Sequence, residues 1–173
     1  MSIMEDILIV DGYNVIGAWD RLKLLKKADF ENARDFLIDK MGEYQAYTGW
    51  KVIVIFDAYL IPGAEARTKK SKVEVIYTKK SEKADQKIEG LIRKLQNVKT
   101  RIHVATSDMA EQWTVFSQGA LRKPSRELIE EIKRIDHAIG AATFNEKRKP
   151  GSGSKIHLDR ATREKLERMR RGF

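Results

Sequence analysis

Short apolar runs constrain the fold of this chain more than any other feature of its sequence. Three of them occupy residues 7–10, 52–56 and 102–105, and stretches with helical periodicity separate them. Predominantly apolar runs of this length are typical of strands buried on both faces of a parallel sheet. The alternation therefore predicts an α/β fold, with a wound, mainly parallel sheet and helices on both sides.

Turn residues and apolar spacing indicate where the individual elements lie. Long helices are predicted from about residue 30 to a stop at Thr48 and Gly49, from a Ser81 cap to about residue 97, and from a Ser125 cap onward. A short helix follows residue 108 and ends near Gly119. The remaining predictions are strands at 7–11, 51–56, 73–77 and 102–105, a turn at 12–14 with a polar stretch to 27, and a basic loop at 62–72.

Four aspartates stand at the ends of these runs or in the first turn of a helix. Asp11, Asp57 and Asp108 follow apolar runs, and Asp85 opens a predicted helix, in its first turn and on the inward stripe formed by the apolar residues of that helix. Because ligand sites of such sheets form outside the carboxyl ends of the strands, we expect all four acids to face one crevice.

Clustered aspartates suit phosphodiester hydrolysis with Mg²⁺ or Mn²⁺, hard cations that prefer carboxylate and water oxygens. Without a cation, the carboxylates would repel one another and raise each other's pKa. Capping a helix is an alternative role for Asp108, and a turn role is an alternative for Asp57. Asp11 has the fewest structural alternatives, because an acid that ends an apolar strand is costly without a partner.

The charge balance favours a polyanionic partner. The 173 residues include 34 Lys and Arg against 25 Asp and Glu, a net charge of +9. Residues 145–173 hold ten Lys and Arg against four Asp and Glu, so six of the nine charges lie in this tail. The tail either docks on phosphates or is a solvated extension. We predict a domain at 1–144 and a basic linker with a C-terminal helix or tail at 145–173.

Composition also narrows the compartment and the chemistry. The sequence has no cysteine, which excludes thiol nucleophiles, thiolate zinc sites and disulfides. The start of the chain lacks the pattern of a signal peptide, and no segment approaches membrane-spanning length. We therefore expect a cytoplasmic protein with no membrane partner.

Several motifs together resemble one family, the YacP-like NYN domain of the PIN-like nuclease superfamily. The resemblance covers roughly residues 5–140 in order and spacing, and agreement among several motifs makes it specific. The motifs are Ile9-Val10-Asp11-Gly12-Tyr13-Asn14, Phe56-Asp57-Ala58, Ala84-Asp85 with Ile88-Glu89, Thr106-Ser107-Asp108 with Glu111-Gln112, and Gln118-Gly119-Ala120.

The resemblance implies a PIN-like α/β fold and a metal-dependent endoribonuclease that cuts mRNA at the ribosomal A site during translation, with the ribosome, its large subunit included, as partner. By the same resemblance, Asp11 and Asp85 are the central metal ligands and Asp108 completes the site. Asp57 or Glu89 assists through water. Asn14 orients a ligand or phosphate, or is simply a turn residue.

Basic and aromatic residues near the predicted crevice are candidates for RNA binding. A rim of lysines would hold phosphates over the acids, although ordinary solvation of a loop explains any single lysine. The rim comprises Lys69, Lys70, Lys72, Lys79 and Lys80, together with Arg67 and Lys83. Tyr13, Trp19 and Tyr59 either stack on bases or pack, whereas Trp50 and Trp113 are predicted to pack and Gln112 to be a surface amide.

Two other functions remain open from the sequence alone. One is a general endoribonuclease that acts on free structured RNA, and the other is a non-catalytic module that binds RNA or the ribosome. The residues do not indicate an oligomeric state. A phosphatase of the haloacid type is excluded, because it needs a second aspartate two residues after Asp11 and Tyr13 stands there.

Overall fold

A six-stranded sheet organises the fold. The computed structural model describes residues 4–57, 67–70, 72–148 and 160–170. The strands lie in the order β3-β4-β2-β1-β5-β6, and all pairs are parallel except the antiparallel pair of β3 with β4. Their bounds are β1 (Glu5–Asp11), β2 (Lys51–Phe56), β3 (Arg67–Lys70), β4 (Val73–Tyr77), β5 (Thr100–Ala105) and β6 (Leu121–Lys123).

Helices connect the parallel strands and flank the sheet, which confirms the predicted α/β class. Their bounds are α1 (Gly12–Ala18), α2 (Asp20–Ala28), α3 (Phe30–Thr48), α4 (Ala84–Leu95), α5 (Met109–Ser117), α6 (Ser125–Arg148) and α7 (Arg160–Arg170). The chain divides into two compact units, Met1–Glu131 and Ile132–Phe173. None of the described helices is long and apolar enough to cross a membrane.

Strand β1 is the interior strand on which the site is built. Leu8, Ile9 and Val10 are fully buried, as expected for a strand covered on both faces. Asp11 pairs in register with Ile55 of β2, and Val10 pairs with Ala105 of β5. The carboxyl ends of β1, β2 and β5 are therefore level, and the order of strands changes direction at β1, where ligand crevices of such sheets form.

The predicted turn and polar stretch at residues 12–27 were wrong, because two helices, α1 and α2, occupy them. Their buried residues Val15, Ile16, Trp19 and Leu22 follow helical spacing, which the polar residues between them obscured. The chain turns directly from β1 into α1 because position 12 is glycine. A Cβ there would collide with the Phe56 ring and lie 2.9 Å from the Ile55 carbonyl oxygen.

Helix α3 begins and ends as its sequence predicts. The Asp29 carboxylate accepts a hydrogen bond from the Asn32 amide at 3.1 Å, and Gly49 ends the helix with a φ of 75°. The predicted Ser81 cap was wrong, because α4 begins at Ala84 after Lys83. The Lys83 amide donates to the Gln86 Oε1 at 3.0 Å.

Two strands were absent from the prediction. Residues 67–70 form β3, so the basic loop predicted at 62–72 was wrong there, while 62–66 and 71 lie outside the described residues. Strand β6 has only three residues, and Leu121 and Arg122 are exposed, so it lacks the apolar run of a buried strand. Ser125 is the first residue of α6 rather than the residue before it, and its hydroxyl donates to Asn14 Oδ1 at 2.7 Å.

The C-terminal segment is helical on both sides of residues 149–159, which lie outside the described part of the chain. Helix α6 continues to Arg148, so the change in composition at residue 145 falls within a helix. Helix α7 agrees with the helical composition expected there, and its described side chains are exposed. The division into domains at 144 and 145 stays a prediction.

Candidate active site

Asp11 lies at the carboxyl end of β1, between the ends of β2 and β5. Its backbone is the last of the strand and the N-cap of α1, so the side chain leaves the sheet where the chain turns. Thr106 directly follows β5. Its hydroxyl lies 3.2 Å from Asp11 Oδ2 and can donate a hydrogen bond to it. Thr106 is fully buried, so this contact joins two neighbouring strand ends.

Glu111 brings a second carboxyl group to the same position. It is only 7% exposed, although it lies in the first turn of α5. Its Oε2 stands 3.3 Å from the Thr106 hydroxyl, and its carboxyl is close enough to that of Asp11 for the two to share a proton. Glu111 Oε1 is buried and has no hydrogen-bond partner among the described residues. An unpartnered buried carboxylate oxygen needs a ligand to offset its desolvation.

The pKa values of both acids are raised, and burial is the main cause. Burial raises the pKa of Glu111 to about 8, and the adjacent Asp11 adds to the effect through its charge and the shared hydrogen bond. Burial also raises the pKa of Asp11, against the hydrogen bonds from Glu111 and Thr106. The charges of Asp108 and Asp85 raise it further. The pair therefore retains a proton unless a cation replaces it.

Asp108 and Asp85 lie close enough to act on the pair through their charges. Asp108 is the N-cap of α5, and its Oδ1 accepts from the Glu111 amide at 3.1 Å, so the capping role considered for it is present. Asp85 is exposed in the first turn of α4 rather than on the inward stripe, where we expected it. Its Oδ1 accepts from the Gln86 amide at 2.8 Å. Three of the four predicted aspartates thus approach one position.

The chemistry of these groups fits a hard divalent cation. All are carboxylates, the pair at the centre is forced to hold a proton, and one buried oxygen is unpartnered. Within the described residues, no three acids stand close enough together to hold one ion as placed. Mg²⁺ is commonly bound by one or two carboxylates with waters and substrate phosphates, so Asp11 and Glu111 suffice as its protein ligands.

The other predicted site residues lie around this centre. Asp57 is half-buried directly after β2, and Glu89 is half-buried one turn after Asp85. Burial raises the pKa of Tyr13, and the charge of Asp57 adds to it. Asn14 Oδ1 accepts from the Ser107 amide and the Ser125 hydroxyl, both at 2.7 Å. Asn14 therefore joins α1 to the loop after β5 and to the start of α6, and any contact with substrate stays a prediction.

Three lysines of the predicted rim do not lie over the acids, and a role of these residues in RNA binding stays a prediction. Strand β3 runs antiparallel to β4, so Lys69 and Lys70 pair with Glu74 and Val73 at the start of β4. Lys72 stands between these strands with a φ of 66°. All three lie at the amino edge of the parallel strands, away from the acids. Lys79 and Lys80 follow the carboxyl end of β4 and are exposed, and their binding of RNA stays a prediction.

The sequence analysis did not identify Glu111 as a site residue, and it predicted the wrong environment for Gln112 and Trp113. Glu111, Gln112 and Val115 form the buried face of α5, and an acid on such a face was the available indication. Gln112 is not a surface amide, because it is buried and donates to the Thr106 carbonyl at 2.8 Å. Trp113 does not pack in the core, because it is 69% exposed.

The other aromatic residues near the strand ends mostly pack. The Tyr13 ring contacts those of Phe30 and Phe56, with centroids 5.2 and 5.1 Å away. Trp19 is buried, and the Trp50 ring stacks on that of His103 at 4.3 Å, as predicted for packing. Burial alone would raise the pKa of Asp6, but hydrogen bonds from His103 and Arg101 hold it below its ordinary value, so His103 has a structural role. Tyr59 lies outside the described residues.

Comparison with known proteins shows the family and the fold of the chain. The family model of the YacP-like NYN domain matches residues 8–171. Uncharacterized protein YacP of Bacillus subtilis (strain 168) is 52% identical over 167 residues, which are 96% of this chain and 98% of that protein. The crystal structure of Rae1 (YacP) from Bacillus subtilis matches with a TM-score of 0.78 at 51% identity, over 96% of this chain and 95% of that one. A crystal structure of a mutant of Rae1 gives a TM-score of 0.75 at 51% identity, over 86% of this chain and 87% of that one.

These matches extend over most of the length of each partner and include the strand ends that carry the acids. They confirm the resemblance noted in the motifs and the NYN and PIN-like α/β fold. The chain belongs to the YacP-like NYN domain family, which is nuclease-like.

Proposed function

We propose that this protein is a divalent-metal-dependent endoribonuclease that cleaves mRNA in association with the translating ribosome, at the A site. The observation that carries the proposal is the pair of Asp11 and Glu111 at the strand ends, with an unpartnered buried oxygen. Buried acids with raised pKa values in a crevice are typical of functional sites. A purely structural role would leave the buried Glu111 Oε1 without a hydrogen-bond partner among the described residues.

Each acid has a separate role in the proposed site. Asp11 and Glu111 would hold the ion, and the Thr106 hydroxyl, which lies within hydrogen-bond distance of both carboxyls, can donate to one of them at a time. Asp85, a central metal ligand by the family resemblance, and Asp108 would add negative charge that the cation requires, so loss of the Asp85 charge should abolish cleavage. Asp57 and Glu89 would act through water. Mg²⁺ or Mn²⁺, when bound, activates a water for attack on the phosphodiester and stabilises the leaving oxygen.

The charge distribution supports RNA as the substrate. The chain carries a net charge of +9, six of which come from residues 145–173. Lys79 and Lys80 lie at the same edge of the sheet as the acids and are exposed. Cationic side chains bind the phosphate backbone through release of condensed counterions, so binding should weaken as salt rises.

The ribosome as partner is supported by the family resemblance and by the basic tail, which suits ribosomal RNA. Translating ribosomes also place the proposed activity in the cytoplasm. The large subunit and the A site enter through the resemblance alone.

Cleavage of a reporter mRNA in a purified translation mixture with Mg²⁺ tests the proposal. Wild type would be compared with Asp85→Asn, and the same mRNA would be supplied with and without translation. Asp39→Asn is the matched control, because Asp39 is an exposed aspartate on α3 that takes no part in the site. We expect wild type and Asp39→Asn to cut the translated mRNA and Asp85→Asn not to.

The outcomes separate the three candidate functions. Cleavage only during translation supports the ribosome-dependent nuclease. Equal cleavage of untranslated RNA would favour the general endoribonuclease on free structured RNA. Equal cutting by Asp85→Asn and wild type would contradict the site, and binding without any cutting would favour a non-catalytic module.

A further inference from the structure

Helix α5 has an exposed aromatic face next to the acids. Met109, Trp113 and Phe116 are spaced by four and three residues, so they share one side of the helix. They are 61%, 69% and 65% exposed. Large apolar side chains clustered on a surface mark interaction sites, whereas single ones do not.

This face borders a cavity of suitable chemistry for a nucleobase. The cavity is about 180 Å³ in volume and is lined by Gln112, Trp113, Phe116 and Arg122. It is smaller than the roughly 300–1,000 Å³ of sites for whole drug-sized ligands. Aromatic rings stack on any base, and a guanidinium pairs with a phosphate or stacks on a ring. The side chains that line this cavity can therefore contact both a base and a phosphate.

The charge of the surface favours a polyanion over a protein helix. Helix α5 contains one acid, Glu111, which is buried, and β6 contains none. Arg122 of β6 is exposed beside the rings. No carboxylate of α5 or β6 is therefore exposed to repel phosphates.

The position of the face relates it to the acids. Asp108 and Glu111 stand at the start of α5, and Trp113 follows Asp108 by about 7.5 Å along the helix axis, at about 1.5 Å per residue. Because Trp113 lies about 200° around the helix from the buried Glu111, an RNA strand with one phosphate at the acids would have to pass around the start of α5 to bring a neighbouring base to this face.

We propose that the surface formed by Trp113, Phe116 and Arg122 binds a base and phosphate of single-stranded RNA next to the cleaved bond. The inference deepens the proposed function, because it names the single-stranded form of the substrate and the residues that select it. In double-stranded RNA the bases are already stacked and do not expose their faces.

Quenching of tryptophan fluorescence by oligoadenylate tests this inference. Trp19 is 7% exposed and Trp50 is half-buried, so a stacked base should mainly quench Trp113. All variants carry Asp85→Asn so that the RNA stays intact, and affinity is measured in parallel by anisotropy of labelled RNA. We expect Trp113→Ala to weaken binding about tenfold, within the range measured for one stacked base.

Matched variants separate stacking from simple burial. Trp113→Phe keeps an aromatic ring and should bind nearly as well as the parent while losing the quenching. Trp113→Leu keeps an apolar side chain without a π face and should bind as weakly as Trp113→Ala. Tyr47→Ala is the control for loss of an exposed aromatic, because Tyr47 is 58% exposed near the end of α3, which leads to the amino end of β2.

The inference is overturned if Trp113→Ala binds the oligoadenylate as tightly as Tyr47→Ala, or if an RNA duplex of equal length binds Trp113 as well as the single strand. Parent-like binding by Trp113→Leu would also overturn it and would indicate an apolar protein partner. A loss of binding in Trp113→Ala supports it even if the wild type proves not to cut mRNA. Cleavage by wild type with unimpaired binding by Trp113→Ala would leave the proposed function standing without this surface.

Discussion

At the scale of single residues, Glu111 explains most about the site. An acid buried beside Asp11 forces one of the two carboxyls to keep a proton, and the Thr106 hydroxyl contacts both carboxyls. The sequence shows that Glu111 follows Asp108 by three residues, but it does not show that Glu111 is buried. Whether a helix face is inward depends on the neighbouring strand, which local spacing does not specify.

The raised pKa of Glu111 predicts a pH dependence of stability for the metal-free protein. Its pKa rises from an ordinary 4.5 to about 8 in the folded state, so between these values the native state binds more protons than the unfolded chain. The free energy of unfolding should therefore fall as pH rises through this range. The raised pKa of Asp11 acts in the same direction.

Urea unfolding of wild type and Glu111→Gln between pH 5 and 8 (roughly the window set by that shift), with EDTA present, checks this prediction. We expect the wild type to lose stability with rising pH, whereas Glu111→Gln should show a flatter profile and be the more stable protein at the upper end. Parallel profiles for the two proteins would show that Glu111 does not carry the buried proton.

At the scale of elements, the apolar patterns predicted four of the six strands and the positions of the longest helices. An apolar run buried on both faces indicates a strand without ambiguity. The end of α3 at Gly49 was predictable because it depends only on the local preference of glycine for a positive φ. Four elements were missed, namely β3, the amphipathic helices α1 and α2, and β6, whose three residues are exposed or half-buried. Topology explains why the predicted position of Asp11 was correct and that of Lys70 was not. Asp11 ends a parallel strand and so lies at the carboxyl edge of the sheet. Lys70 ends the antiparallel strand β3 and so lies at the amino edge of the parallel strands.

Asn14 connects three elements, which predicts a cost in stability for its removal. Asn14→Ala would leave the Ser107 amide and the fully buried Ser125 hydroxyl without their shared acceptor. We expect a loss of about 1–3 kcal/mol in the free energy of unfolding. Asn14→Asp is the matched control, because its carboxylate can accept both hydrogen bonds. Equal urea midpoints for wild type and Asn14→Ala would contradict this connecting role.

At the scale of the whole molecule, the acids and the positive charge are separated along the chain. The carboxylates gather where the strand order reverses at β1, while residues 145–173 hold six of the nine net charges. A compact acidic centre with a basic surplus elsewhere suits an enzyme that holds a polyanion by its backbone and acts on one bond. The acidic centre was predictable from strand order, but the distribution of contacts to RNA was not, because it depends on loop and helix placement.

The rate of RNA cleavage as Mg²⁺ is titrated, for wild type and Glu111→Gln of the full chain, tests the central claim most directly. The wild-type rate should rise to saturation with Mg²⁺ and vanish in EDTA. Glu111→Gln should be slower by at least about 100-fold, the upper end of what even outer-shell partners of a metal contribute, while remaining folded at the assay pH. Cleavage by Glu111→Gln at the wild-type rate, with the same Mg²⁺ dependence, would contradict the assignment of Asp11 and Glu111 as the metal-binding pair.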